Sequence, residues 1–305
     1  MSLPPGARAI ERGWLSSNNI LLLDGDDATL VDSGYVGHAE RTVALVKSAL
    51  AGRRLRRLVN THSHSDHIGG NAALQRAFAC RIVIPAGIEQ HVAEWDEQAL
   101  LLAQSAQRGE RFRHDEVVAD GERMLMGGLE WQARAAPGHD MDALVFHCPD
   151  ARLLISGDAL WEDGFGIVFG EVLGAPGALA ATRATLERIA RLPVDTVIPG
   201  HGAPFGDVEA ALARAFRRLE AFEADPARLA RNAVKGCFIF NLLDLQSLPR
   251  AELAAYLERV PFFRDIGARW LGMEVGALAE WLMAELGRAG AIEVIDGRLR
   301  PTMAA

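Results

Sequence analysis

The chain reads as an α/β protein in which helices cover a sheet or a pair of sheets, followed by a smaller, mainly helical C-terminal unit. Three observations predict this. Short apolar runs of strand length alternate with segments of helical apolar spacing through the first two thirds of the sequence. Half of the 305 residues are hydrophobic, enough for a large core. After Gly206 the alternation gives way to helix-rich sequence, and Pro226 marks a boundary, so units of 1–225 and 226–305 are expected.

The elements follow in order. Residues 18–31 hold two apolar runs separated by a polar turn at 24–27, a two-stranded opening that ends in Asp32-Ser33-Gly34. A helix over 39–50 is expected from apolar Val43, Val46 and Leu50 with charges between them, and Gly52 ends it. A strand over 55–60 runs into Thr61-His62-Ser63-His64-Ser65-Asp66-His67-Ile68-Gly69-Gly70. Helix is expected over 71–78, strand over 82–85 and one long helix over 86–107. Strands are then expected at 129–136, 144–148, 153–156 and 196–199, with an amphipathic helix at 179–192. Near the end, a helix over 275–287 precedes Asp296-Gly297, a pair that favours a tight hairpin. A helix followed by a hairpin resembles a winged-helix end; the alternative is a helical cap that completes the fold.

Composition excludes several classes. The apolar runs fall well short of the roughly 20 residues that span a bilayer. The N-terminal dozen residues lack the basic start and apolar stretch of an export signal, and three scattered cysteines (Cys80, Cys148, Cys237) suit neither a disulfide framework nor a CxxC metal knuckle. A cytoplasmic location is therefore expected. A formal charge of −8 disfavours nucleic acid as partner, and from residue 226 onward 10 Lys and Arg face 9 Asp and Glu, a near-neutral balance. That unit is expected to shape the pocket or to pack against a partner subunit, giving a homodimer.

The chemistry sits in four loops, each after an expected strand: His62, His64, Asp66 and His67; His139; Asp158; and His201. Metal ions need unprotonated nitrogen and oxygen donors converging from a rigid base, which loops at strand ends supply. A lone His or Asp beside a strand is more often a satisfied core or capping residue. Five of the nine histidines fall in these loops, however, and the HxHxDH string is too dense for chance. His62 and His64 alternate along extended chain while Asp66 and His67 open the next helix, so the string divides between two neighbouring ions.

Thr61 to Gly70 as quoted above, Pro137-Gly138-His139, Ser156-Gly157-Asp158, Pro199-Gly200-His201-Gly202 and the early Val31-Asp32-Ser33-Gly34 turn together resemble the ordered motifs of the metallo-β-lactamase superfamily. The resemblance covers about residues 15–205 and implies an αββα sandwich with the site at one edge. It implies His62, His64 and His139 on one ion, Asp66, His67 and His201 on the other, Asp158 bridging both, and Asp32 orienting a ligand imidazole. Two divalent ions per chain are expected, zinc by default, with iron or manganese as alternatives. Where many relatives follow the third motif with a hydroxyl residue, this chain has Asp140-Met141-Asp142, read as solvated carboxylates or as an extra acid near the ligands. His38, His91, His114 and His147 match no motif and read as structural or surface residues.

Metals roughly 3.5–4 Å apart can activate a bridging hydroxide and polarise the group it attacks, and Asp66 takes the further role of orienting that hydroxide. Hydrolysis of a small acyl substrate (a thioester, lactone or ester) is the leading expectation. The alternatives are β-lactam hydrolysis, an iron-dependent sulfur or oxygen oxidoreductase, a ribonuclease, and a binding protein with a dead site. Hydroxyacylglutathione hydrolases are similar in the HxHxDH region, although their C-terminal basic and Tyr pattern is not found. Trp161 and Phe165, just after Asp158, are expected to line the pocket with neighbouring glycines giving mobility, and segment 86–107 with Trp95 to form the opposite wall.

Overall fold

A computed structural model describes residues 3–303. The first sheet runs in chain order through β1 (Ala7–Ile10), β2 (Asn19–Asp24), β3 (Asp27–Val31), β4 (Arg54–Val59), β5 (Arg81–Pro85) and β6 (Glu116–Val118). β1, β2 and β3 pair antiparallel, and β3 to β6 pair parallel. The parallel part needs crossovers, supplied by α1 (Ala39–Leu50), the single turn α2 (Ser65–Ile68), α3 (Asn71–Phe78), α4 (Glu89–Glu94) and α5 (Leu102–Ser105). α1 buries Thr42, Val46 and Leu50 on one face and ends where Ala51 turns left-handed ahead of Gly52.

The second sheet has the order β11-β10-β9-β8-β7, from β7 (Arg123–Met126), β8 (Leu129–Ala135), β9 (Leu144–Cys148), β10 (Leu153–Gly157) and β11 (Thr196–Pro199). Its one parallel pair, β10 with β11, is bridged by α6 (Phe169–Leu173) and α7 (Ala178–Ala190). Alternate residues of both sheets interdigitate between them, among them Ile20, Val59 and Val83 from one side and Trp131, Phe146 and Ile155 from the other. Leu30, Leu58 and Ile82 face the opposite way, under α1 and α3. Each fully buried side chain of this size contributes about 1.5–3 kcal/mol. Helix, sheet, sheet, helix is the αββα order expected.

The rest of the chain continues the outer helical layer: α8 (Val208–Ala224), α9 (Pro226–Leu245), α10 (Leu253–Arg259), α11 (Pro261–Ile266) and α12 (Val275–Arg288). The Asp207 and Asp225 carboxylates cap α8 and α9 by accepting the backbone N–H of Ala210 and Arg228. Pro226 opens α9, a position where a missing N–H costs nothing. A small antiparallel sheet, β12 (Leu248–Pro249), β14 (Arg298–Pro301) and β13 (Ile292–Ile295), closes the fold. In the hairpin between β13 and β14, Asp296 and Gly297 both have positive φ, 50° and 71°, as a two-residue turn between twisted strands requires. One apolar cluster runs from the outer face of the second sheet (Val145, Leu154, Val197) through α8 and α9 to Leu278 and Leu299.

Segment 86–107 is not one helix. α4 stops at Trp95, which is left-handed at φ 58°, and the Asp96 carboxylate then accepts the N–H groups of Gln98 and Ala99 in a tight turn before α5. Helical spacing was present, but the local side-chain hydrogen bonds of Asp96 compete with the helix and win.

Candidate metal centre and its pocket

Five strand ends converge at one edge of the sandwich: those of β3 (Asp32), β4 (His62 to His67), β8 (His139), β10 (Asp158) and β11 (His201). Within the β4 loop the backbone is extended at His64 and helical from Ser65, so His62 and His64 diverge from Asp66 and His67. Two donor groups result, His62 with His64 and His139, and Asp66 with His67, Asp158 and His201, in each of which the ligand atoms lie within 4.8 Å of one another. The Asp158 carboxylate faces both: one oxygen is 3.3 Å from His139 Nε2, the other 3.3 Å from His67 Nε2.

The hydrogen bonds behind the imidazoles decide which nitrogen each presents. His67 Nδ1–H donates to Asp32 Oδ2 at 2.8 Å, and His139 Nδ1–H donates to the Ile167 carbonyl at 2.6 Å. Thr61 Oγ1 donates to Asp32 Oδ2 at 2.8 Å and lies 2.9 Å from His62 Nδ1, from which it can accept. Each of these rings thereby turns an Nε2 lone pair inward. Asp32 sits at a strained φ of 59°, and its other oxygen accepts Thr61 N–H at 2.9 Å, so both oxygens are committed.

These residues fit a pair of metal ions. The buried Nε2 atoms of His62 and His67 have no hydrogen-bond partner, and a buried nitrogen left so is costly unless something else binds it. His64 Nδ1 and His139 Nε2 converge at 2.7 Å. Among the described residues, the ion pairs of Asp66 and Asp158 are all with imidazoles, which leaves two buried carboxylates without a Lys or Arg. Burial, and then the neighbouring imidazoles, hold His62 well below the ordinary histidine pKa. Burial and His139 bring His64 down to about 4. His62 and His64 are therefore neutral and ready to ligate near pH 7. Burial opposes charge on His67 as well, but the carboxylates of Asp32, Asp158 and Asp66 outweigh it and hold its pKa well above the ordinary value.

Two glycines make room. A Cβ on Gly200 would lie 2.3 Å from Asp158 Oδ1, and one on Gly166 would lie 2.4 Å from His139 Nδ1. At Gly166 the missing side chain leaves room for the His139 ring.

A cavity of about 230 Å³ opens over the donors. Trp161 lies on its wall, and its Nε1–H donates to Asp158 Oδ1 at 3.2 Å. Phe165, expected there too, is instead 1 % exposed in the outer core, edge-on to Phe222. The two residues differ because the 161–164 bridge turns the chain back before Phe165. Segment 86–107 does reach the cavity, through Leu101, Ser105 and Gln107, whereas Trp95 packs on Phe112. Asp140 is not a solvated carboxylate: it accepts Ser63 N–H and Oγ–H at 3.2 and 2.8 Å, and His64, Ser63 and the Asp142 N–H hold its pKa down against burial. Asp142 is exposed. His38 bonds Ser16, His114 pairs with Glu89, and His147 is buried toward Pro193; neither these three nor His91 belongs to the donor groups.

The sequence reading missed Trp14, which stacks on His201 with ring centroids 5.3 Å apart, and it missed Phe169, edge-on to His64 at 5.0 Å. It also placed no residue of α9 at the site, whereas α9 contributes Lys235, Gly236, Cys237 and Phe240 to the cavity. Trp14 carries a faint sequence signal, a large aromatic just before the opening strand. For α9 only the packing tells.

Fold and site together define an αββα protein with two adjoining His/Asp donor groups at one sheet edge. A family model for the Metallo-beta-lactamase superfamily matches residues 12–201, and the chain belongs to that superfamily. A hydroxyacylglutathione hydrolase of Pseudomonas savastanoi pv. phaseolicola is 33% identical over 186 residues, 60% of this chain and 57% of that protein. Another, of Chromohalobacter salexigens, is 28% identical over 243 residues, 77% of this chain and 76% of that protein. Among solved structures, a metallo-beta-lactamase family protein from Thermus thermophilus aligns over 98% of this chain and 100% of its own, with a TM-score of 0.58 at 20% identity, a likeness of fold.

Proposed function

We propose that the chain is a metal-dependent hydrolase of small acyl substrates, with thioesters first among them. The observation that carries this reading is the pair of donor groups facing a shared carboxylate, Asp158, with the buried Nε2 of His62 left without a hydrogen-bond partner. The named activity of the hydroxyacylglutathione hydrolases supports the thioester class. We assign His62, His64 and His139 to one ion, Asp66, His67 and His201 to the other, and Asp158 to both; zinc suits this nitrogen and oxygen set. When bound, such ions lower the pKa of water and polarise a carbonyl.

The protein's own part is positional. Asp66, 3.0 Å from His201 Nε2 and on the cavity wall, orients the attacking water and takes up its proton. Asp32 and the Ile167 carbonyl fix the rings of His67 and His139. Trp14, Trp161 and Phe169 exclude bulk water around the acyl carbon. The water oxygen bonds to that carbon and the C–S bond breaks with its electron pair on sulfur. The water proton taken up by Asp66 passes to the thiolate and the other goes to solvent, so a thiol and a carboxylate leave.

No helix among the described residues is long and apolar enough to cross a membrane, and three free, buried cysteines support a reducing compartment, the cytoplasm in our reading. Metal analysis of protein purified without chelator, with a thioester, lactone, β-lactam and phosphodiester panel, tests the proposal. Two zinc ions per chain and thioester hydrolysis lost in Asp66→Ala and His139→Ala are expected. One iron per chain with oxygen consumption and no hydrolysis would refute it.

A further inference from the structure

Beside the metal cavity lies a second, larger groove of about 690 Å³ whose walls carry five cationic side chains, Arg217, Arg218, Arg228, Arg231 and Lys235, against two carboxylates, Asp225 and Glu285. A local excess of three positive charges in a chain of net charge −8 is a concentration, not an average. The two carboxylates are already engaged, Asp225 by Arg231 at 2.8 Å and Glu285 by Lys235 at 3.6 Å and Arg288 at 2.5 Å. Among the described residues, Arg217, Arg218 and Arg228 have no carboxylate partner.

Arg218 links the groove to the chemistry. It lines both cavities, together with Asn232 and Lys235. Its guanidinium is half-buried, 5.2 Å from the centre of the Phe165 ring and 5.5 Å from that of Phe222, in space that exists because residue 164 is glycine: a Cβ there would sit 2.8 Å from Arg218 Nη1. Its Nη2–H donates to Asn232 Oδ1 at 3.3 Å; held by ring faces and with no carboxylate, the guanidinium keeps its other N–H donors for a further acceptor. α9 carries the rest as a ruler. Gly236 borders the metal cavity, and Arg228 lies eight residues back along the helix, about 12 Å at 1.5 Å per residue. On the other side of Lys235 and Gly236 an apolar groove adjoins the same cavity, lined by Ile239, Leu243 and Leu286.

We infer that the substrate is an acyl thioester whose thiol half carries phosphate, with its anionic arm along the Arg218–Arg228 groove and its acyl chain on the Ile239–Leu243 side. This rests on the thioester reading above and deepens it. Several planar guanidinium forks suit phosphate oxygens better than a single carboxylate, and an excess of three positive charges suits a thiol that carries several phosphate groups.

The test uses the metal-loaded protein and one acyl chain, octanoyl, on two thiols: coenzyme A, and uncharged N-acetylcysteamine. The expected result is a kcat/KM at least ~10-fold higher for the coenzyme A ester, as charge-assisted hydrogen bonds to phosphate imply. The advantage shrinks through KM in the double variant Arg217→Ala/Arg228→Ala, whose positions are exposed, and in Arg218→Lys, which keeps the charge but loses the fork. Calorimetry with adenosine 3′,5′-bisphosphate gives a readout independent of turnover: binding to the parent protein, weakening with salt, and loss in the double variant. Equal kcat/KM on both thioesters with no bisphosphate binding would overturn the inference and leave the hydrolase reading standing. Hydrolysis of neither thioester would remove that reading and the inference with it. Cleavage of a single-stranded RNA oligomer that outcompetes the bisphosphate would assign the groove to nucleic acid instead.

Discussion

Asp32→Asn changes one atom of a buried side chain and should reach the metals through His67. In the parent protein Oδ2 accepts from both His67 Nδ1–H and Thr61 Oγ1–H, and Oδ1 accepts Thr61 N–H at 2.9 Å. An amide in place of Oδ2 points its N–H at two donors; turned over, it points at the Thr61 N–H. The side chain is walled in at 1 % exposure, so water cannot relieve either orientation. The cheaper escape is for His67 to move its proton to Nε2, which removes the lone pair the second donor group needs. Loss of such an outer partner typically costs about 10–100-fold in metal affinity, or roughly 1.4–2.7 kcal/mol. The fold should survive, since no packing volume changes. The assay is competition for zinc against a chromophoric chelator, with urea unfolding of the same samples. Two tight ions in the parent, with one of them weakened at least ~10-fold in the variant, is the expected result. Zinc affinities within twofold of the parent at both ions would refute the argument that Asp32 sets the His67 tautomer.

Other outcomes follow from the same geometry. Gly166→Ala, which places a methyl 2.4 Å from His139 Nδ1, should displace that ring and lower zinc stoichiometry at the first donor group, read by metal analysis of the purified variant. Phe165→Ala should cost about 3–5 kcal/mol in urea unfolding, whereas Trp161→Ala should change KM with little loss of stability. In metal-free protein His64 prefers to be neutral, its pKa lowered from 6.5 to about 4 by burial and then by His139. That stability is fully present above pH 6.5 and lost as pH falls toward 4, on the order of 3 kcal/mol. A parent protein that loses no more stability than His64→Gln between these pH values would contradict it. Asp140→Asn should loosen the Ser63 loop that carries His64, seen as a raised KM for zinc-dependent hydrolysis and as faster zinc release in stopped flow.

The strand ends and the clustered His and Asp residues that follow them were legible because the information is local. A strand that stops at Val59, an alternating HxH and a helical DH fix which side chains share a direction before any tertiary contact forms. Pro226 and Asp296-Gly297 were legible for the same reason, since helix starts and two-residue turns are dictated by backbone sterics within a few residues. Segment 86–107 misled because its apolar spacing is equally compatible with a helix and with two helical turns broken at Asp96, where a side chain satisfies the backbone instead.

What lies far apart in the chain was decided only by packing. Phe165 and Trp161 are four residues apart with one buried and one on the cavity, a choice set by the turn between them and by the space under Arg218. Trp14 meets His201, and α9 closes the cavity with Lys235 and Cys237, through contacts between segments that no spacing relates. The sequence alone pointed to the His and Asp residues that the fold brings together, because each is positioned by the strand it follows. The tertiary structure decided the pocket, because a wall is made by whichever surfaces the apolar cores leave facing one another.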